Sequence, residues 1–316
     1  MLPFAFVFPG QGSQSVGMLD AWGDHPAVAQ TVAEASDALH QDIALLIKEG
    51  PKEALALTTN TQPVMLVAGV ATYRVWMAET GLTPSVVAGH SLGEYSALVA
   101  AGVLSLSQAA PLVRFRAQAM QDAVPVGVGA MAAILGLDAA KVVDGCAEAL
   151  ATFGADSLEV VEAVNFNDPL QTVIAGSKAA VDKACEILKA NGAKRALLLA
   201  VSAPFHSSLM KPAAEALQEK LAAMALSTPQ IPIINNIDVA AEVDADCIRS
   251  ALYRQSFGPV RWVECVRSIQ ARGVSHVVEC GPGKVLAGLV KRIDPELTGA
   301  ALFDPASLAA VKELLV

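Results

Sequence analysis

Aromatic residues are scarce in this 316-residue chain, at 5%, and charged residues reach only 17%. Set against 53% hydrophobic residues, that shortage of charge excludes an intrinsically disordered chain. The apolar fraction is rich in Ala and Val, the small-side-chain core of helices packed on a parallel sheet. No CxxC pair occurs among the five scattered cysteines, which argues against a zinc ribbon or a redox dithiol. They read as buried thiols in a reducing compartment. No Lys- or Arg-rich run occurs and the net charge is −9, so a nucleic-acid partner held by the whole surface is excluded. No apolar run is long enough to span a bilayer. The opening Met1–Phe8 is apolar but short, with neither a basic leader nor a small-residue cleavage site. It reads as a strand and not as a signal peptide.

The length suits one large domain with a smaller insert. Phe4 to Phe8 predicts a buried strand, ended by Pro9-Gly10. Residues 26 to 48 predict a helix, as does Thr61 to Met77 with Pro63 in its first turn. Ser85 to Ala88 predicts a short strand, and Leu92 to Ala101 a helix closed by Gly102. Ser105 and Gln108 form a capping box for the next helix, which Pro111 should kink or delay. After Pro125–Gly129 the order becomes β-α-β-β-α-β, that of a ferredoxin-like unit. The expected architecture is α/β, with an α/β-hydrolase-like large domain (1–126 and 200–316) and a ferredoxin-like small domain at 127–199. The closing segment Ser307–Val316 predicts a short helix.

Gly89-His90-Ser91-Leu92-Gly93 carries the strongest chemical signal. It follows a strand and opens a helix, the setting of a nucleophile elbow. Glycines at both ends permit a tight turn that exposes the Ser91 hydroxyl. The Leu92 amide would then face an oxyanion on the acyl group. A packing turn with a capping serine is the plainer alternative. A serine nucleophile needs a base. Of His25, His40, His90, His206 and His276, His206 is preferred, because it lies in a loop after a strand and before a helix. His276, inside a strand, reads as packed. Arg114 and Arg116 follow the elbow on the next helix. One of them, if buried, would clamp a carboxylate, but a solvated basic face is the simpler reading. Gly281-Pro282-Gly283-Lys284 lacks P-loop spacing and reads as a tight turn at a strand's carboxyl end.

These segments together resemble the malonyl-CoA:acyl-carrier-protein transacylase family. The resemblance rests on Phe8–Gln14, Gly89–Tyr95, Arg116 with Met120-Gln121, Asn165-Phe166-Asn167, Pro204–Ser207, Tyr253–Gln255 and Glu279–Gly283. It implies a ping-pong reaction in which Ser91 takes the malonyl group from malonyl-CoA and the phosphopantetheine thiol of acyl carrier protein then receives it. It assigns His206 as general base and acid, oriented by a main-chain carbonyl near Gln255 in place of an aspartate. It gives Gln11 and Leu92 to the oxyanion hole, Arg116 to the malonyl carboxylate, and Met120 and Phe205 to the acyl pocket. The bulk of Phe205 implies malonyl over methylmalonyl. The resemblance further implies a cytoplasmic monomer without cofactor or metal. Its partners would be malonyl-CoA and the acidic carrier protein, with no nucleic acid and no membrane. Lys189, Lys194, Arg195, Lys284, Lys291 and Arg292 are candidates for docking the carrier.

Three other readings share parts of this pattern. A trans-acting malonyl acyltransferase of a polyketide synthase carries the same motifs. A serine thioesterase or esterase needs a carboxylate between serine and histidine, for which Asp122 and Asp168 are candidates. A carrier-binding module without catalysis would not keep Ser91, His206 and Arg116 together.

Overall fold

The computed structural model describes residues 2–154 and 156–315; Met1, Ala155 and Val316 lie outside them. In chain order the first elements are β1 (Phe4–Phe8), α1 (Pro26–Leu39), α2 (Ile43–Glu49), α3 (Lys52–Ala56), α4 (Thr58–Thr80), β2 (Val86–Gly89), α5 (Gly93–Ala100) and α6 (Leu106–Ala123). Then come β3 (Gly129–Leu135), α7 (Ala139–Ala151), β4 (Val161–Asp168), β5 (Gln171–Ser177), α8 (Lys178–Ala190), β6 (Arg195–Leu198) and α9 (Lys211–Ala222). The last are β7 (Ile233–Ile234), α10 (Ala245–Gln255), α11 (Trp262–Gln270), β8 (His276–Cys280), α12 (Val285–Ile293), β9 (Thr298–Leu302) and α13 (Pro305–Leu315).

The chain forms two compact units. The larger comprises Met1–Ala117, Met224–Ile248 and Cys265–Val316; the smaller comprises Gln118–Ala223 and Arg249–Glu264. The smaller unit is wider than the expected 127–199 and includes a segment from much later in the chain.

The larger unit is an α/β fold on a five-stranded sheet in the order β7-β2-β1-β8-β9, with every pair parallel. Its central strand β1 is buried at all five residues. Aromatic rings pack around β1: Phe6 meets Phe4 at 5.2 Å and Trp76 at 5.5 Å, both edge to face. β1 and β2 run side by side and end together, Phe8 opposite Gly89. The segments after both strands therefore emerge at one end of the sheet, where sites in parallel sheets form.

The smaller unit has a four-stranded antiparallel sheet in the order β4-β5-β3-β6. Alternation along β3 decides its two faces. Ala132 and Ile134 pack with α7 and α8, alongside Val142, Val181 and Leu188. Met131 and Ala133 face the other way, into a cluster holding Met120, Phe205 and Met210.

Several local expectations are corrected. The single helix at 26–48 is two helices, because His40 takes a left-handed φ of 51° and Asp42 caps α2 through Leu45 N–H at 2.8 Å. α4 starts at Thr58, so Pro63 falls past its first turn. The Ser105–Gln108 capping box forms in both directions, at 3.2 and 3.0 Å, and α6 starts at Leu106 without delay from Pro111. β7 and β9 are strands that the pattern did not suggest. All five cysteines are free, and Cys247 is exposed, against the expectation of buried thiols.

Candidate active site

The turn after β2 is built on close approach. A Cβ on Gly89 would lie 1.9 Å from the Gly93 carbonyl carbon, and one on Gly93 would lie 2.1 Å from Phe8 O. Only glycine fits at either place. The turn forces Ser91 to a φ of 52°, a left-handed conformation that a side-chain-bearing residue adopts only under constraint. Asn236 supplies that constraint. Its Oδ1 accepts the Ser91 N–H at 2.7 Å, its Nδ2 donates to Gly89 O at 2.7 Å, and its own N–H donates to Glu94 Oε2 at 2.9 Å. The Ser91 amide is thereby occupied. Leu92, the N-cap of α5, supplies the next amide at the electropositive end of that helix.

The loop after β1 comes close to this turn. A Cβ on Gly10 would lie 2.6 Å from His90 O, so the glycine permits contact between the two backbones. Gln11 follows at once, its Nε2 donating to Thr58 Oγ1 at 3.1 Å. Both residues expected in an oxyanion hole thus stand at the carboxyl ends of adjacent parallel strands.

Arg116 corrects the reading of a solvated basic face. It is 2% exposed, donates to Gln62 Oε1 at 2.9 Å and to Ser91 Oγ at 3.3 Å, and stacks 5.4 Å from the Tyr95 ring centre. Burial pulls its pKa down, and the neighbouring Tyr95 and Glu94 oppose that; a guanidinium still stays charged at neutral pH. Burial likewise pushes the Tyr95 hydroxyl up to about 12. Arg114, two residues earlier, is only half-buried and donates to Gln41 Oε1.

In the smaller unit, His206 is 4% exposed and left-handed, with φ 66°. Its Nδ1 lies 2.8 Å from Gln255 O. A carbonyl can only accept, so the proton of this hydrogen bond sits on Nδ1. Phe205 and Met120 lie in one apolar cluster of this unit. Asp168 is committed to the β4–β5 turn, accepting Leu170 N–H at 2.8 Å, and exposed Asp122 accepts from Gln118 at 2.9 Å. Ser91, Arg116, Gln11 and Leu92 belong to the larger unit, and His206, Gln255, Phe205 and Met120 to the smaller.

His25 and His276 are engaged elsewhere. His25 caps α1, accepting Ala27 N–H at 3.2 Å, and His276 meets Ser275 Oγ at 2.8 Å at the start of β8. Among the described residues, no group of three or more His, Cys, Asp or Glu side chains is placed to hold a metal ion. No helix among them is long and apolar enough to cross a membrane.

Residues 5–296 match the family described as Acyl transferase domain. The malonyl CoA-acyl carrier protein transacylase of Escherichia coli K12 is 52% identical over 315 residues, covering 99% of this chain and all of that protein. The chain belongs to the malonyl-CoA:acyl-carrier-protein transacylase family. A family structure from Burkholderia pseudomallei 1710b, an acyl-carrier-protein S-malonyltransferase, superposes with a TM-score of 0.95 at 63% identity, over 99% of this chain and 100% of that one. A malonyl-transacylase solved in complex with its type II PKS acyl-carrier protein gives 0.95 at 50% identity, over 99% of both chains.

Sequence reasoning missed Asn236 and Gln62. Asn236 gave no signal, because it acts on a turn 145 residues away. Gln62 did leave one: it is a polar residue buried to 1% in an otherwise apolar helix, and such a group is kept for a partner.

Proposed function

We propose that this chain moves a malonyl group from malonyl-CoA to the phosphopantetheine thiol of acyl carrier protein. The observation that carries this reading is the buried Arg116 guanidinium 3.3 Å from Ser91 Oγ. A cation held beside the nucleophile selects an acyl group that bears its own anion, and a guanidinium matches a carboxylate with two parallel hydrogen bonds.

Ser91 Oγ attacks the thioester carbonyl while His206 Nε2 takes the hydroxyl proton. The amides of Gln11 and Leu92 hold the oxyanion, and CoA leaves as its thiol with the proton from His206. The carrier's thiol then attacks the malonyl-Ser91 ester, with His206 taking the thiol proton and returning it to Ser91. Gln255 O, in place of a carboxylate, fixes the tautomer throughout. A thioester is already activated, so the reaction needs neither metal nor cofactor. Phe205 disfavours an α-methyl branch. The protein acts as a cytoplasmic monomer, and the carrier docks on exposed basic residues drawn from Lys189, Lys194, Arg195, Lys284, Lys291 and Arg292. The product feeds fatty-acid synthesis. The structure of a relative with a type II PKS carrier favours a second reading, in which the carrier belongs to a polyketide synthase.

The test is Arg116→Ala. Removing one member of a buried charged pair costs about 2–5 kcal/mol. Malonyl kcat/KM should fall about 100-fold or more, while acetyl-CoA transfer is kept or rises. Unchanged malonyl kinetics would refute the assignment.

A further inference from the structure

The turn Gly281-Pro282-Gly283 takes no part in the chemistry above, yet it touches the loop that does. Gly281 has a φ of 132°, and a Cβ there would lie 3.3 Å from Pro9 Cγ and Cδ and from Gly69 Cα. Gly283 has a φ of 92°, and a Cβ there would lie 3.1 Å from Ser13 Cβ and Oγ. The turn therefore lies against both ends of the segment Pro9–Ser13, which carries Gln11. That segment is also tied to Thr58 through Gln11 Nε2.

What holds the turn is Glu279. Lys284, the N-cap of α12, makes no side-chain cap, and Glu279 Oε2 accepts Ala287 N–H at 2.9 Å instead. The carboxyl thus bridges from the end of β8 to the first turn of α12 and closes the four-residue connection between them. Gly281 N–H donates to Leu302 O at 3.1 Å, anchoring the same connection to β9. Glu279 is fully buried, and its Oε1 has no hydrogen-bond partner. A buried acid with an orphan oxygen is costly to keep for packing alone. Burial pushes it up to about 7, against the pull of the α12 amides.

We propose that Glu279 is a positioning residue for the oxyanion loop: by fastening α12 it fixes the Gly281–Gly283 turn against Pro9 and Ser13, and so the Gln11 amide between them. This rests on the reading of Gln11 as an oxyanion donor in malonyl transfer to Ser91. The fastening needs only an acceptor at the Oε2 position, which glutamine also supplies.

The experiment follows malonylation of Ser91 by rapid quench and intact mass, over a range of malonyl-CoA concentrations. It compares the native chain with Glu279→Ala, Glu279→Gln and Gly283→Ala, each with its melting temperature. Displacing a reacting geometry by about 1 Å costs up to about 100-fold. Glu279→Ala should lower the maximal rate at least about tenfold, with the half-saturating concentration within about twofold. Glu279→Gln should restore the rate to within about threefold. Gly283→Ala, which pushes on Ser13, should slow the step as Glu279→Ala does, and it decides the matter if Glu279→Ala fails to fold. A lower melting temperature with an unchanged maximal rate per folded molecule would overturn the inference. Ser91→Ala is the control: an adduct that persists there sinks the underlying reading, whereas an adduct lost there with native rates in the other variants sinks only this inference.

Discussion

The turn at Ser91 and the loop at His206 are strained in the same sense, with φ of 52° and 66°, and they are held by different means. Ser91 sits in a turn closed by two glycines that admit no Cβ and pinned by the side chain of Asn236. His206 is pinned through its own ring, by a backbone carbonyl 49 residues later. The first device fixes a backbone and leaves a hydroxyl exposed to chemistry. The second fixes a proton on Nδ1, which the proposed role of Nε2 as base requires. The proposed nucleophile needs only placing, whereas the proposed base must also be kept in one tautomer, and the two supports match those proposed roles.

The largest effect should come from His206, the proposed base. Removing a general base costs about 100- to 10,000-fold. His206→Ala should lower malonyl transfer about 1,000-fold, and unfolding in urea should show a loss of only about 1 kcal/mol, for the one hydrogen bond to Gln255 O, since alanine keeps the left-handed strain. Asn236→Ala comes next. It leaves the partly buried Ser91 N–H and the buried Gly89 O without their side-chain partner, at about 1–3 kcal/mol each. Stability should fall by about 3–4 kcal/mol, and the transfer rate should fall with it. If His206→Ala destabilised the fold as much as Asn236→Ala, the distinction between the two supports would collapse.

A third and smaller effect sharpens the picture behind the elbow. Burial raises the Glu279 carboxyl from its ordinary 4.5 to about 7. A raised carboxyl favours the folded state in its uncharged form. Its contribution is full below about pH 4.5 and is lost as pH rises through about 7. The loss is roughly 3 kcal/mol. Unfolding free energies at pH 4.5 and 8 should show this loss in the native chain and its absence in Glu279→Gln. Equal pH dependence in both would mean the carboxyl is not held in the buried state described.

Legibility in the sequence follows the reach of each interaction. The Ser91 turn was readable because glycines, strand and helix all fall within ten residues. The capping box at Ser105 was readable for the same reason. The parallel sheet followed from buried apolar runs, but β7 is only two residues long and β9 reads Thr-Gly-Ala-Ala-Leu, without the β-branched residues that mark a strand. The break at His40 was missed because a non-glycine residue took the left-handed cap. The bounds of the smaller unit were not readable, since Arg249–Glu264 joins it from far along the chain. The proposed role of Arg116 came from family resemblance; its burial against Gln62, Tyr95 and Ser91 is a physical support that its neighbours in sequence do not give.

The central claim is that Ser91 carries the malonyl group. It is tested most directly by mixing the protein with malonyl-CoA and weighing the intact chain. The account predicts a single malonyl adduct that forms on the native chain, is absent in Ser91→Ala, and disappears when the carrier protein is added. An adduct that survives in Ser91→Ala, or one that yields free malonate and not malonyl-carrier, would contradict it.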